Sequence, residues 1–222
     1  MSDVVWWTPL VAAARRNLIP GLVLQALALA LVLAYYLVPA TRPTFETVAH
    51  AKAAGGYFAS TLSAAIAAGL IPWLVDAVRG QVLPGRRLGD CTFVVLLWAW
   101  RGAEVDAFYR FQSWLWGSGT DAGTIACKVA LDMLVYAPLW AQPVLVAAYR
   151  LRERHYDLTL YRRTWSWSAL VRQVVVVQAS GWVVWVPAVS IIYALPSDLQ
   201  FPLFAVVVCF WSLLLATLSK RS

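Results

Sequence analysis

The chain alternates long apolar runs with short polar interruptions. Six runs approach the length that crosses a bilayer as helix, at about 18–39, 55–78, 90–116, 124–149, 170–195 and 199–218. A hydrocarbon core of about 30 Å takes about 20 helical residues. The pattern therefore predicts an all-α fold, a polytopic bundle of six transmembrane helices. The third run is the least apolar, with ten clean residues at 91–100 before charges begin.

Basic residues fix the expected orientation, because Lys and Arg are retained on the cytoplasmic side. With the N-terminus inside, the inside segments hold Arg15, Arg16, Arg79, Arg86, Arg87, Arg150, Arg152, Arg154, Arg162, Arg163, Arg172, Lys220 and Arg221, against Arg42 and Lys52 outside. Both termini are then cytoplasmic. Deleting the third run as a crossing would move the basic cluster at 150–163 to the outside. That violates the charge rule more severely than one polar span does, so six is retained.

Composition agrees. The chain is 61% hydrophobic and 13% charged, with 13 tryptophans in 222 residues, where soluble domains carry about 25% charged residues. The net charge of +7 is accounted for by topology, and no basic stripe interleaved with aromatics stands in a soluble segment, so nucleic acid is not an expected partner. Membrane lipids are. The loop at about 150–168, RLRERHYDLTLYRRTWSWS, reads as a partly helical segment along the interface, with anionic headgroups against its arginines at about 1 kcal/mol per basic residue. Trp6 and Trp7 suit the half-wetted headgroup layer, as an N-terminal interfacial segment.

Other chemistry is sparse. Cys91, Cys127 and Cys209 are an odd number in apolar settings and read as packing residues. His50 and His155 fall in the first outside loop and the 150–168 loop, without acids or thiols at ligand spacing, so no metal is expected. No cofactor motif stands out. The in-span acids each have a base nearby, and no nucleophile is paired with a histidine, so an enzyme is not expected. The run 18–38 is too long for a signal-peptide core and lacks a small-residue cleavage site, so it is expected to remain as the first span.

Packing signals lie in the second run, where Ser60, Ala64 and Ala68, flanked by Ser63 and Ala67, allow close helix approach. It is expected to be the most enclosed helix. Pro72, Pro138, Pro143 and Pro187 lie within runs and predict bends, with Gly181 and the Trp182–Pro187 aromatic stretch making the fifth run the most bent.

Charges inside spans carry the strongest functional signal, since each costs at least about 2.5–3.5 kcal/mol at the membrane centre. The third run holds Arg101, Glu104, Asp106 and Arg110, and the fourth holds Lys128 and Asp132. Arg101 and Glu104 share one helix face, and Asp106 and Arg110 the opposite one. Lys128 and Asp132 can also pair. Centring both spans puts Arg110 and Asp132 at about the same depth, which predicts that Asp132 is contacted by Lys128 or Arg110. The six residues either line a polar cavity or lock the two helices together.

In the C-terminal part, Lys128-Val-Ala-Leu-Asp132, Ala137-Pro138, Trp182-Val-Val-Trp185-Val-Pro187, Leu195-Pro196, Phe210-Trp211 and Leu218-Ser219-Lys220-Arg221 resemble the Mpv-seventeen and peroxisomal-membrane-protein-twenty-two family. Upstream, Trp100-Arg-Gly102-Ala-Glu-Val-Asp106-Ala-Phe108-Tyr109-Arg110 is similar to that family's glycine-rich stretch. The resemblance spans about 55–221. Departures are Asp132-Met133 for Asp-Gln, Ile191-Ile192 for Asn-Phe, Trp211-Ser212 for Trp-Asn, and a missing Gly-Asp near Ala68-Gly69. Lys128, Asp132 and Pro138 carry over. The resemblance implies residues 1–50 as an added interfacial segment and first span, and 51–222 as the family-like bundle, within one membrane domain. It implies a weakly selective channel for small solutes in a bacterial inner membrane, or in a mitochondrial inner or peroxisomal membrane. The alternative is a non-conducting membrane-organising or stress-related protein whose charges are structural. A homo-oligomer is compatible with either.

Overall fold

The computed structural model describes residues 8–218 and is helical through most of that range, with no strand among the described residues. Trp6, Trp7, Ser219, Lys220 and Arg221 lie outside the described residues. The helices are α1 (Thr8–Leu37), α2 (Arg42–Ala64), α3 (Ile71–Val78), α4 (Arg87–Trp116), α5 (Ala122–Leu131), α6 (Gln142–Glu153), α7 (Leu158–Arg163), α8 (Trp167–Tyr193) and α9 (Ser197–Leu218). Two π-helical segments make long composite helices: Ala65–Leu70 joins α2 to α3, and Asp132–Ala141 joins α5 to α6.

Four stretches are long and apolar enough to cross a membrane: Val11–Leu37, Pro39–Val78, Ala122–Glu153 and Trp167–Tyr193. The chain thus has the make-up of a multi-pass membrane protein. α4 has 30 residues but interrupts its apolar surface with Arg101, Glu104, Asp106 and Arg110. The stretch Ser197–Leu213 is apolar over a shorter length.

The segment 42–54, expected as an outside loop, is helical instead. Pro43 sits in the first turn of α2, where its missing N–H costs nothing, and Ala-rich sequence follows. Gly56 then breaks the helix with φ 50 and ψ −131, a conformation glycine adopts without a Cβ clash. His50 and Lys52 therefore lie on a helix, and Lys52 is buried.

The stripe of small residues works as expected. Ser60, Ala64 and Ala68 are buried on the side of the α2–α3 composite helix that packs on α4. A Cβ added at Gly102 would collide with the Ser60 carbonyl oxygen, so the two backbones cross there at a distance only glycine permits. Ser63 faces outward. The most enclosed of the four apolar stretches is nevertheless α8, with nine buried residues. It lies between α1, α6 and α9, and Leu24, Ala28 and Val32 of α1 join its Val184, Ala188 and Ile192 in the main core. Residues 1–50 thus contribute to the common core through α1.

Prolines distort the helices, though not where the sequence placed the strongest bend. Pro72 lies in the first turn of α3 just after one π segment, Pro138 within the other, and Pro143 in the first turn of α6. Pro187 lies within α8, which stays α-helical from Trp167 to Tyr193. Its missing N–H would leave the Val183 carbonyl without a donor. The Gln25 amide of α1 donates to that carbonyl at 3.0 Å and to Val184 O at 3.1 Å. Gly21 admits the approach, since a Cβ there would lie 2.6 Å from Val184 Cγ2. The π segment follows the same logic. In an i→i+5 ladder Pro138 deprives Met133 O of its donor, and that oxygen accepts from Gln178 Nε2 at 3.2 Å and Trp182 Nε1 at 3.1 Å. Neighbouring helices thus supply the donors that a membrane cannot.

At the other end, Asp121 caps α5 by accepting from Thr124 N at 3.0 Å. Its bond from the Thr124 hydroxyl, then that from Thr124 N–H, hold its carboxyl below the usual carboxylate range. The 150–168 loop is partly helical, as expected, through α7. His155 and Tyr156 turn it with φ 57 and 64.

Gln25→Leu should destabilise the detergent-solubilised protein by about 1 kcal/mol, the scale of an interhelical hydrogen bond in membrane proteins. In a Pro187→Ala background the restored N–H can serve Val183 O, and the same change should cost less than half as much. Equal costs in the two backgrounds, measured by reversible unfolding, would refute the compensation.

Candidate functional site: a divided polar interior

Three polar clusters occupy the interior, and α4 contributes to each. The first centres on Asp106, which is 4% exposed. Lys52 Nζ lies 3.0 Å from its Oδ2, the Ser60 hydroxyl donates to the same oxygen at 2.9 Å, and Arg110 Nε approaches Oδ1 at 3.4 Å. Lys52 Nζ also donates to Gly56 O at 3.3 Å. Arg110 is half exposed and rests over the Tyr57 ring at 4.8 Å. This cluster ties α2 to α4.

The second cluster lies on the other face of α4, as the wheel predicts. Arg101 pairs with Glu104, and the Tyr136 hydroxyl donates to the second Glu104 oxygen at 2.7 Å. Tyr136 stacks on Phe108 with ring centres 3.9 Å apart. Arg101 is buried and its Nε has no hydrogen-bond partner.

The third cluster corrects the expected pairing of Asp132. Neither Lys128 nor Arg110 contacts it. Asp132 Oδ2 accepts from the Tyr193 hydroxyl at 2.7 Å, and that hydroxyl accepts from Gln112 Nε2 at 2.7 Å. Lys128 is 1% exposed with no hydrogen-bond partner for Nζ, which sits over the Tyr193 ring at 6.0 Å from its centre. Two physical causes stand out. Lys128 and Asp132 keep the α-helical spacing, with Asp132 N–H bonded to Lys128 O, but Tyr193 takes the Asp132 oxygen through its hydroxyl and faces Lys128 with its ring. Arg110, one turn from Asp106, takes the nearer carboxylate. The α4 backbone also meets the α5–α6 composite helix chiefly through α5, so the six charges do not form one bolt between the two.

The space beside the π segment is a cavity of about 100 Å³, lined by Asp132, Arg101, Gln142 and Gln178 among largely apolar and aromatic side chains. The π register builds that wall. Because an i→i+5 ladder widens each turn, residues four, five and nine apart share a face, and Asp132, Tyr136, Ala137 and Ala141 all line the cavity. A second cavity, of about 230 Å³, lies further along α4 among Lys52, Asp106, Arg110, Ser113, Asp198 and Gln200. Tyr109 lines both cavities. It is 6% exposed and held edge-on by Tyr193 and Phe204, with ring centres 5.3 and 6.1 Å away.

Lys52, Ser60, Tyr109, Gln112, Tyr136 and Tyr193 complete these clusters without having been expected there. Lys52 was hidden by a loop assignment that ignored the helix-forming run before Gly55-Gly56. The tyrosines and Gln112 gave no signal distinct from ordinary membrane aromatics and packing.

No family model, curated protein or solved structure matches this chain. The motifs quoted above remain the basis of the family resemblance.

Away from the interior, the 150–168 loop is fastened to α4. Tyr156 donates to Asp90 at 2.5 Å, and Arg152 reaches the other Asp90 oxygen at 3.4 Å. Burial, then the Asp90 hydrogen bond and charge, raise the Tyr156 phenol above its ordinary value. Among the described residues, no group of three or more His, Cys, Asp or Glu is placed to hold a metal ion.

Breaking the Asp106 cluster should be costly because it strands Lys52. Asp106→Asn is expected to destabilise by about 3–5 kcal/mol. Lys52→Met combined with Asp106→Leu should recover at least half of that in unfolding titrations. A double variant no better than the single one would show that the pair is not the source of the loss.

Proposed function

We propose that this protein is a six-span membrane protein with cytoplasmic termini whose polar interior is a route for passive movement of small solutes, closed at Tyr109. The observation that carries the reading is the pair of cavities, each with buried charged side chains in its wall, following one another along α4 with Tyr109 as their common wall. A purely structural network would leave its charges satisfied. Here Lys128 Nζ lacks a partner, and Asp132 faces a cavity with a phenol as its hydrogen-bonding neighbour. The resemblance to the Mpv-seventeen and peroxisomal-membrane-protein-twenty-two family points the same way, with a bacterial inner membrane as the location.

Orientation rests on the 13-to-2 division of basic residues. Arg150 and Arg154 are engaged within the protein, while Arg162 and Arg163 are exposed and would meet anionic headgroups. A cysteine introduced at Arg162 in a cysteine-free variant should be shielded from an impermeant thiol reagent added outside intact cells. Labelling there would reverse the orientation.

The second reading, a non-conducting organiser, draws on the Asp106 cluster, which is a helix lock in its own right. Reconstitution separates the two. Tyr109→Ala should raise the flux of ions or small sugars from sealed vesicles at least tenfold, with Tyr109→Phe close to the parent. Pore-lining charge sets selectivity, so Asp132→Asn should reduce cation-over-anion preference more than Arg154→Gln does. Vesicles that stay tight with Tyr109→Ala as well as with the parent would establish the organiser reading.

A further inference from the structure

We infer that the cavity beside the π segment is a binding site for a small organic ammonium ion. The inference names the solute class for the proposed route and rests on that reading for its purpose, although the binding can be measured without it.

Charge balance is the first step. Two ionisable side chains of opposite sign line the cavity, Arg101 and Asp132. Arg101 is matched by Glu104 within the same turn of α4 and over the Tyr136 ring. Asp132 has no cation in contact. Its Oδ2 is occupied by the Tyr193 hydroxyl, while Oδ1 accepts no hydrogen bond from any described residue, and Lys128 lies against the Tyr193 ring instead. The cavity therefore presents an unmatched carboxylate oxygen.

The walls supply the second step. Trp98, Tyr109, Tyr136, Trp185 and Phe204 border the same space. Aromatic faces attract a desolvated cation through the ring quadrupole, and quaternary ammonium groups are bound by such surrounds. A hydrated metal ion would find one carboxylate and few other oxygens, too poor a shell for a hard cation. An anion would meet Asp132. A neutral apolar molecule would leave Oδ1 of the buried Asp132 without a hydrogen-bonding partner, which is costly. A compact ammonium ion with methyl or methylene groups satisfies both the acid and the rings, and the volume of about 100 Å³ suits a group of that size.

The position adds a consequence. Tyr109 is at once a wall of this site and the barrier to the second cavity, where Asp106 and Asp198 lie ahead. A cation held at Asp132 therefore waits against the ring that must move for it to pass.

The test uses the purified full chain in detergent and radiolabelled choline, with equilibrium dialysis as the readout. Saturable binding is expected, at least tenfold weaker for the uncharged isostere 3,3-dimethylbutan-1-ol in competition. Asp132→Asn retains an acceptor for Tyr193 and should weaken choline binding at least tenfold. Trp185→Leu, which keeps the carboxylate, should weaken it several-fold, and Arg154→Gln should leave it unchanged. Equal competition by the neutral isostere, parent-like binding by a folded Asp132→Asn protein, or no saturable binding overturns the site. Glycine betaine competing better than choline would also overturn it, by moving the recognition to Arg101. Should Asp132→Asn fail to fold, the isostere and Trp185→Leu decide. Binding without flux through vesicles refutes conduction and leaves the site standing. Flux without choline binding does the reverse.

Discussion

The fold depends on what a buried carboxylate demands of its neighbours. Asp106 lies in the middle of a helix surrounded by apolar ones, and an uncompensated charge there would cost several kcal/mol. Lys52 answers it, but only because the chain before Gly56 is helical and returns against the bundle. The sharp break at Gly56 and the close crossing of Ser60 over Gly102 both serve that approach. One acid thereby fixes the path of about fifteen residues that hydropathy alone leaves in a loop. Ser60 also joins the two scales of contact, since its small size permits the crossing and its hydroxyl completes the Asp106 shell.

A similar economy governs the backbone. Where proline removes a donor inside a helix, water would repair the loss in a soluble protein, and in an apolar environment a neighbouring side chain must. Gln25 serves Val183 and Val184, while Gln178 and Trp182 serve Met133. Those three donors sit on α1 and α8, so the prolines specify which helices lie together as well as bending them. This is how α1, read from the resemblance as an addition, becomes bound into the core.

Much of this was legible in the sequence, and the limits have definite causes. Helix lengths and the small-residue face of the second run follow from composition and period. The two opposed pairs on α4 follow from angular spacing alone, because each pair is closed within one turn. Interactions between helices were not accessible in the same way. Depth placed Arg110 level with Asp132, yet the local partner Asp106 was nearer. Lys128 and Asp132 have the spacing of an α-helical pair, and the Tyr193 side chain that meets both from α8 is not written in the local sequence. The apolar limit explains the third run: α4 is buried on its polar faces by neighbours, so its own hydropathy understates how far it is enclosed.

The π segment that starts at Asp132 shapes the cavity wall. The helix is still α-helical as it reaches Asp132, whose N–H bonds Lys128 O, so residues 128 and 132 lie about one turn apart without pairing. From Asp132 onward the wider turn aligns it with Tyr136 and Ala141 along the cavity, while Lys128 lies against the Tyr193 ring. π segments recur at functional sites, and here the contribution is geometric: the wider turn puts Asp132, Tyr136, Ala137 and Ala141 on one wall of the cavity. Tyr193 keeps Asp132 and Lys128 apart, donating to the acid through its hydroxyl and meeting the lysine with its ring. Replacing it would bring the two charges within reach of each other and remove the one arrangement in the bundle that a helix lock does not require.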